Sequence, residues 1–350
     1  RSDTVWLAGS TTHTAGCCSL RVSALAGTSI IASCVVVITP FTVAPSRIAS
    51  GGASSVTIAS TAPSGTTPGN IAFGGANTYT GTTTVNAGTL IITNAAGLGA
   101  TGTGAGTTIA SGATLDLQNV VVGAEAITIN GGILATSTGT SSLSGSISLG
   151  TSDGIFSVAG TQLTLSGTIS GSNGFTKDGS GILVLTRANT YTGTTTVSAG
   201  TLAISNASGL GTTAAGTTIA SGATLDLRGV VALTEALTIN GGNLVTSTGT
   251  SSLSGAIALG ASGATISVSG TALTLSGVIS GSGGLTKAGT GNLILTGTNT
   301  YDGDTNINAG TLTLNSSSPW GTGGTISFGG GTLQYSASNT TDYSARFSSA

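Results

Sequence analysis

From about residue 70 onward this chain copies itself, which restricts it to architectures that stack one small unit on another. Residues 76–90 read ANTYTGTTTVNAGTL, and residues 188–202 differ from them only in having Ser198 where the first copy has Asn86. A third copy, 298–312, reads TNTYDGDTNINAGTL, and the successive offsets are 112 and 110 residues. Other blocks move by the same 110: 107–117 (TTIASGATLDL) recurs at 217–227, 137–145 recurs at 247–255, and Lys177 matches Lys287. The two-residue difference falls at 98–106 against 210–216, a glycine-rich stretch where a loop can change length.

Inside each long unit a shorter theme recurs. A run alternating Val, Ile or Leu with Thr or Ser meets a Gly or Asn corner, and a second run follows, as in Ile127-Thr128-Ile129-Asn130-Gly131-Gly132-Ile133-Leu134. Alternation is the signature of a half-buried strand, and no segment carries a capped helical period. Five corners per 110 residues predict about 22 residues per coil, which is solenoid spacing. The expected fold is therefore all-β, a right-handed single-stranded parallel β-helix, with on the order of 13 rungs stacked about 4.8 Å apart over the repeats. Only 4% of residues are aromatic and 5% are charged, so the core must be thin and aliphatic and the surface kept wet by Ser, Thr, Asn and Gly. The repetitive helix is expected over 61–350, in long units at about 76–187, 188–297 and an incomplete 298–350. The incomplete last unit and the lack of Met suggest a segment of something longer.

Residues 1–60 lack the pattern. They hold Cys17, Cys18, Cys34 and the single histidine, His13, and the stretch 29–44 is strongly apolar. This lead-in can be read as a signal, an anchor or an irregular segment. Its apolar run is short of the ~20 residues of a spanning helix. The cysteines have no metal-ligand spacing.

The unit G-x-x-L-x-K-x-G-x-G-x-L-x-L-x-x-x-N-x-Y-x-G-x-T-x-(V/I)-x-x-G-x-L resembles the autotransporter-associated β-strand repeat. It fits 174–202, with Phe175 at the first apolar position, and 284–312 through Leu285, Lys287, Gly289, Gly291, Asn299, Tyr301 and Gly303; a partial copy covers 77–90. The resemblance implies an autotransporter passenger region: a stiff β-helical stalk displayed outside a bacterial cell, with its outer-membrane translocator outside this chain.

Chemistry is sparsely provided for. With no His after 13 and no Cys after 34, the repeats lack the bases and ligands of common hydrolase and zinc sites, so no catalytic, cofactor or metal residue is assigned. Residues 150–154 match G-x-S-x-G, but a nucleophile elbow needs a strand-to-helix turn and a histidine. Asp116 and Glu125, repeated as Asp226 and Glu235, are the carboxylates that a carbohydrate-active alternative would use. Their repetition favours a structural position. Asp302 and Asp304 flank Gly303 and could bind Ca²⁺ weakly or form a solvated turn. Tyr79, Tyr191 and Tyr301 recur in N-T-Y-x-G and are the speculative ligand contacts, as a stacking row for sugars, against a packing role. The net charge of −2 and the absence of a basic run argue against nucleic acid. Partners are expected to be glycans or other surface proteins. The expected role is a non-catalytic, structural or adhesive surface stalk; a carbohydrate-active or carbohydrate-binding β-helix is the alternative.

Overall fold

A computed structural model describes residues 70–102, 105–316, 319–339 and 341–348, residues 55–59, and the backbone of five short strands between 13 and 49. Cys17, Cys18 and Cys34 lie outside the described residues. The chain divides into an N-terminal unit, Arg1–Phe175, and a C-terminal unit, Thr176–Ala350. It is an all-β parallel solenoid of about 12 turns with ~21 residues per turn. Among the described residues the one helical element is a short 3-10 turn, Ser344–Arg346. No helix there is long and apolar enough to cross a membrane.

In the N-terminal unit every strand of three to five residues pairs in parallel with its counterpart one turn on, which places like residues above like. Ile71, Leu90, Leu115, Leu134 and Phe156 form one inward column, in register and fully buried. Ile58, Val85, Ile109, Ile129 and Leu149 form another. Each buried aliphatic side chain contributes roughly 1.5–3 kcal/mol, which no coil could collect without a neighbour. The alternate residues point out: Thr84, Thr108, Thr128 and Ser148 make a half-exposed hydroxyl row that keeps the face wet.

The segment expected to stand apart, 1–60, contributes to this ladder. Val36 is in register with Val56, and Val56 with Thr83. The apolar stretch forms two strands, Ser29–Ala32 and Val35–Ile38, where a signal or anchor would be helical.

The C-terminal unit has three ladders. Val197, Ile219, Ile239 and Leu259 are the inward column of the first. Leu183, Leu202, Leu225, Leu244, Ile266, Lys287 and Ile307 are that of the second. Leu273, Leu293 and Leu312 belong to the third. Strand Thr195–Val197 lies in the first ladder, yet its sequence copy Thr305–Ile307, 110 residues on, lies in the second. Likewise Thr201–Ile204 is in the second and Thr311–Leu314 in the third. Counting five corners per unit gave a 22-residue coil. The actual turn is ~21 residues, so 110 residues overrun five turns and each copy moves to the next face.

Glycine serves two separate needs in these coils. Gly112 sits at φ 74 with nothing near its missing side chain, so the turn itself demands it. Gly145 has an ordinary φ, but a Cβ there would meet the Glu125 carbonyl of the preceding coil at 1.7 Å. Close backbone stacking excludes every other residue.

Candidate functional site

The N-T-Y motif builds a staple between coils. Tyr79, Tyr191 and Tyr301 are 0% exposed. Their hydroxyls pair with Thr83, Thr195 and Thr305, four residues on, at 2.7, 2.7 and 2.8 Å. Burial raises the pKa of all three phenols above the usual value. The expectation of a surface row for stacking sugars is corrected here: these rings have no exposed face, and alternate copies in the C-terminal unit belong to different ladders.

Two residues before each tyrosine, an asparagine reaches one turn ahead. Asn77 Nδ2 donates to the Gly97 carbonyl at 2.6 Å, Asn189 to Gly209 at 2.7 Å and Asn299 to Pro319 at 2.5 Å. The tyrosine carbonyls receive the return contact from the N–H groups of Ala100, Thr212 and Thr322. The residue before each of these is a glycine, because a Cβ on Gly99, Gly211 or Gly321 would strike the tyrosine carbonyl at 2.5, 2.5 and 1.8 Å.

A second staple uses lysine. Lys177 and Lys287 are 0% exposed, and Lys287 stands in the core column between Ile266 and Ile307. Each ammonium donates to three carbonyls: Lys177 to Asp178, Gly179 and Ala199 at 3.0, 2.8 and 3.0 Å, and Lys287 to Ala288, Gly289 and Ala309 at 2.8, 2.7 and 3.0 Å. Burial pulls both pKa values down to about 8. The sequence analysis matched these lysines and gave them no role. The signal was present: in Phe175-Thr176-Lys177 the strand alternation puts Lys177 on the same side as buried Phe175.

The carboxylates are also tied to neighbouring coils. Asp116 accepts from Ser137 N and Oγ at 2.9 and 2.6 Å and from Gln118 at 2.7 Å. Asp226 accepts from Ser247 N and Oγ and forms an ion pair with Arg228 at 2.8 Å. Glu125 and Glu235 are buried and accept from Thr107 and Thr217 at 2.7 and 2.9 Å. Burial raises the pKa of both glutamates. Asp116 and Glu125 thus take separate partners and do not form an acid/base couple. Asp302 accepts from Thr322, and Asp304 from Thr325 N and Oγ1, so these two residues also bind the following coil. Among the described residues no three His, Cys, Asp or Glu gather as a metal site. Ser152 of the G-x-S-x-G match lies in an exposed bend between two strands.

Residues 68–92, 175–204 and 285–314 match the family model described as passenger-associated-transport-repeat. All three segments contain the Asn and Tyr of the first staple, and the last two contain the lysine of the second. The repeat family implies a secreted or surface-displayed protein. Comparison with curated proteins and comparison with solved structures gave no match.

Proposed function

We propose that this chain, built around three passenger-associated transport repeats, is a non-catalytic stalk of an autotransporter-type passenger domain. It holds a structural or adhesive position outside the outer membrane, delivered by a translocator encoded beyond these residues. Repeats of this family on a parallel β-solenoid support the passenger assignment in general. The observation that carries the non-catalytic reading is where the polar groups go. Asn77, Tyr79, Lys177, Asp116 and their copies are each spent on a contact to an adjacent coil or a neighbouring residue. Such groups hold length and leave little to act on a substrate. Glycans and other surface proteins are the partners this reading expects.

Fusing the chain to an outer-membrane barrel translocator in a Gram-negative host tests display. Protease added to intact cells should remove the chain while a periplasmic marker stays whole; a chain that stays protected overturns the assignment. A panel of polysaccharides should show no shortening. Cleavage that disappears in Asp116→Asn would instead establish the enzyme reading.

A further inference from the structure

The long repeats are nearly identical, so the places where they differ are informative. One cluster of differences surrounds the second buried glutamate. Where the N-terminal unit has Ala96, Ala100, Gly123 and Ala124, the C-terminal unit has Ser208, Thr212, Leu233 and Thr234. In the fold these four C-terminal residues come together around a cavity of about 320 Å³, with Asn189, Leu210, Thr213 and Glu235. The hollow at the matching place in the N-terminal unit is wider, about 650 Å³, and walled by Ala95, Ala96, Ala100 and Val121.

The backbone is rebuilt at the same point. In the N-terminal unit Val122 is in register with Leu143. In the C-terminal unit the residue bridged to the equivalent Leu253 is Leu233, one position further along. The chain reaches it through Ala232 at φ 63, a left-handed conformation that L residues with a side chain seldom adopt. Strain of this kind, which costs of order 1–3 kcal/mol, collects at functional sites.

We propose that this cavity is a binding site for a small neutral polyol, a single sugar residue or a molecule of the same hydroxyl-rich kind. Asn189 and Glu235 form its buried floor, and the exposed hydroxyls of Ser208, Thr212, Thr213 and Thr234 form its rim. One oxygen of Glu235 accepts from Thr217. The other takes no partner among the described residues and is not sealed in the core, so it opens on the cavity. A residue 97% buried thus turns an unused hydrogen-bonding atom toward the space.

The wall chemistry selects the ligand class. No Lys or Arg lines the cavity to hold an anion. The single acid has its pKa raised by burial, which disfavours the charged form that a cation would need. No aromatic ring is present to stack a flat base. Hydroxyls, an amide and a carboxyl offer both donors and acceptors, and Leu210 and Leu233 offer a small apolar patch for C–H groups. The volume is at the lower end of the range for ligand pockets, which sets a limit near one ring. The inference stands whether or not the chain is a stalk.

The experiment uses the full chain and three probes, D-glucose, D-galactose and N-acetyl-D-glucosamine, read by saturation-transfer NMR and titration calorimetry. At least one should bind with a dissociation constant on the order of millimolar. The variant Ser208→Ala/Thr212→Ala/Thr234→Ala gives this wall the alanines that the other unit already carries in a folded coil. It should weaken binding roughly tenfold, the loss expected for about 1.4 kcal/mol of hydrogen bonding. The single exposed-site variants Thr212→Ala and Thr234→Ala should each show a smaller loss with an unchanged melting temperature. The proposal is overturned if none of the three sugars binds, or if binding persists undiminished in the triple variant.

Discussion

Lys177 and Ala199 lie a full turn apart, and the ammonium of the first donates to the carbonyl of the second at 3.0 Å. The pair recurs as Lys287 and Ala309 at the same distance. A cation inside an aliphatic column would ordinarily be costly. Here three carbonyls that have turned away from their ladders share it, so one side chain closes a corner and joins it to the next coil.

Replacing Lys177 with Met keeps the stem and removes the donor, leaving three carbonyls without it. Stability should fall by about 2–4 kcal/mol, as for other losses of a buried hydrogen-bonded group. Urea denaturation followed by circular dichroism measures this. A change near zero would mean that water replaces the ammonium.

The same lysines set a pH dependence with an unusual sign. Their folded pKa of about 8 lies below the model value of 10.5. Between those values the unfolded chain binds more protons than the folded one, so stability from this source rises with pH across the window. The melting temperature of the wild type, relative to Lys177→Met/Lys287→Met, should climb from pH 8 to pH 10. A flat difference would show that the three carbonyls keep the ammonium charged throughout.

Glu125 has the opposite sign. Burial raises its folded pKa above the unfolded value of 4.5, so its favourable contribution is complete below 4.5 and is lost as pH rises through the folded value. Glu125→Gln retains the acceptor for Thr107 and removes the titration. The variant should melt higher than wild type at pH 7.5, with a smaller gain at pH 4. Equal gains at both values would rule out the charge as the cause.

Thr136 and Thr246 occupy the same place in successive repeats, and both hydroxyls are buried without a hydrogen-bond partner. Their ladder neighbours are Val158 and Val268. Thr136→Val preserves the shape and removes an unsatisfied group, so it should raise stability by about 1 kcal/mol, measured by thermal unfolding. A loss of stability would reveal a bound water.

Tyr79→Phe should cost about 1 kcal/mol by orphaning the Thr83 hydroxyl, whereas Tyr79→Ala should cost roughly 3–5 kcal/mol by opening a cavity in a closed core. Neither change should alter sugar binding at the C-terminal unit. If Tyr79→Phe abolished such binding, the buried-staple account would fail.

The strands were legible because alternation is local: Thr83-Thr84-Val85 and Ile127-Thr128-Ile129 carry their own inside and outside. Pairing one turn on was legible from the copies. The advance by one face was not, because counting corners averages over the coil and leaves its phase undetermined; Thr195 and Thr305 look alike in sequence and sit in different ladders. Tyr79 was taken for a possible ligand contact because an aromatic beside Gly resembles an exposed corner. Its partner, Thr83, was four residues away in a run of threonines, with nothing to single it out. The cavity at Glu235 depended on contrasts such as Ala100 with Thr212, which acquire meaning only when the fold places them on one wall. Residues 1–60 differ in composition, yet Val36 and Val56 are β-branched residues that a parallel ladder accepts from any source.

The advance to a new face bears on multivalency. In the C-terminal unit, near-identical segments such as those beginning at Thr195 and Thr305 look out in different directions. A flat partner, such as a membrane or a lattice of receptors, cannot engage both at once, so duplication here yields no avidity on a plane. A partner that encircles the coil, or several small ones approaching from separate sides, could. Lengthening such a chain by whole repeats therefore multiplies its bearings before it multiplies its grip.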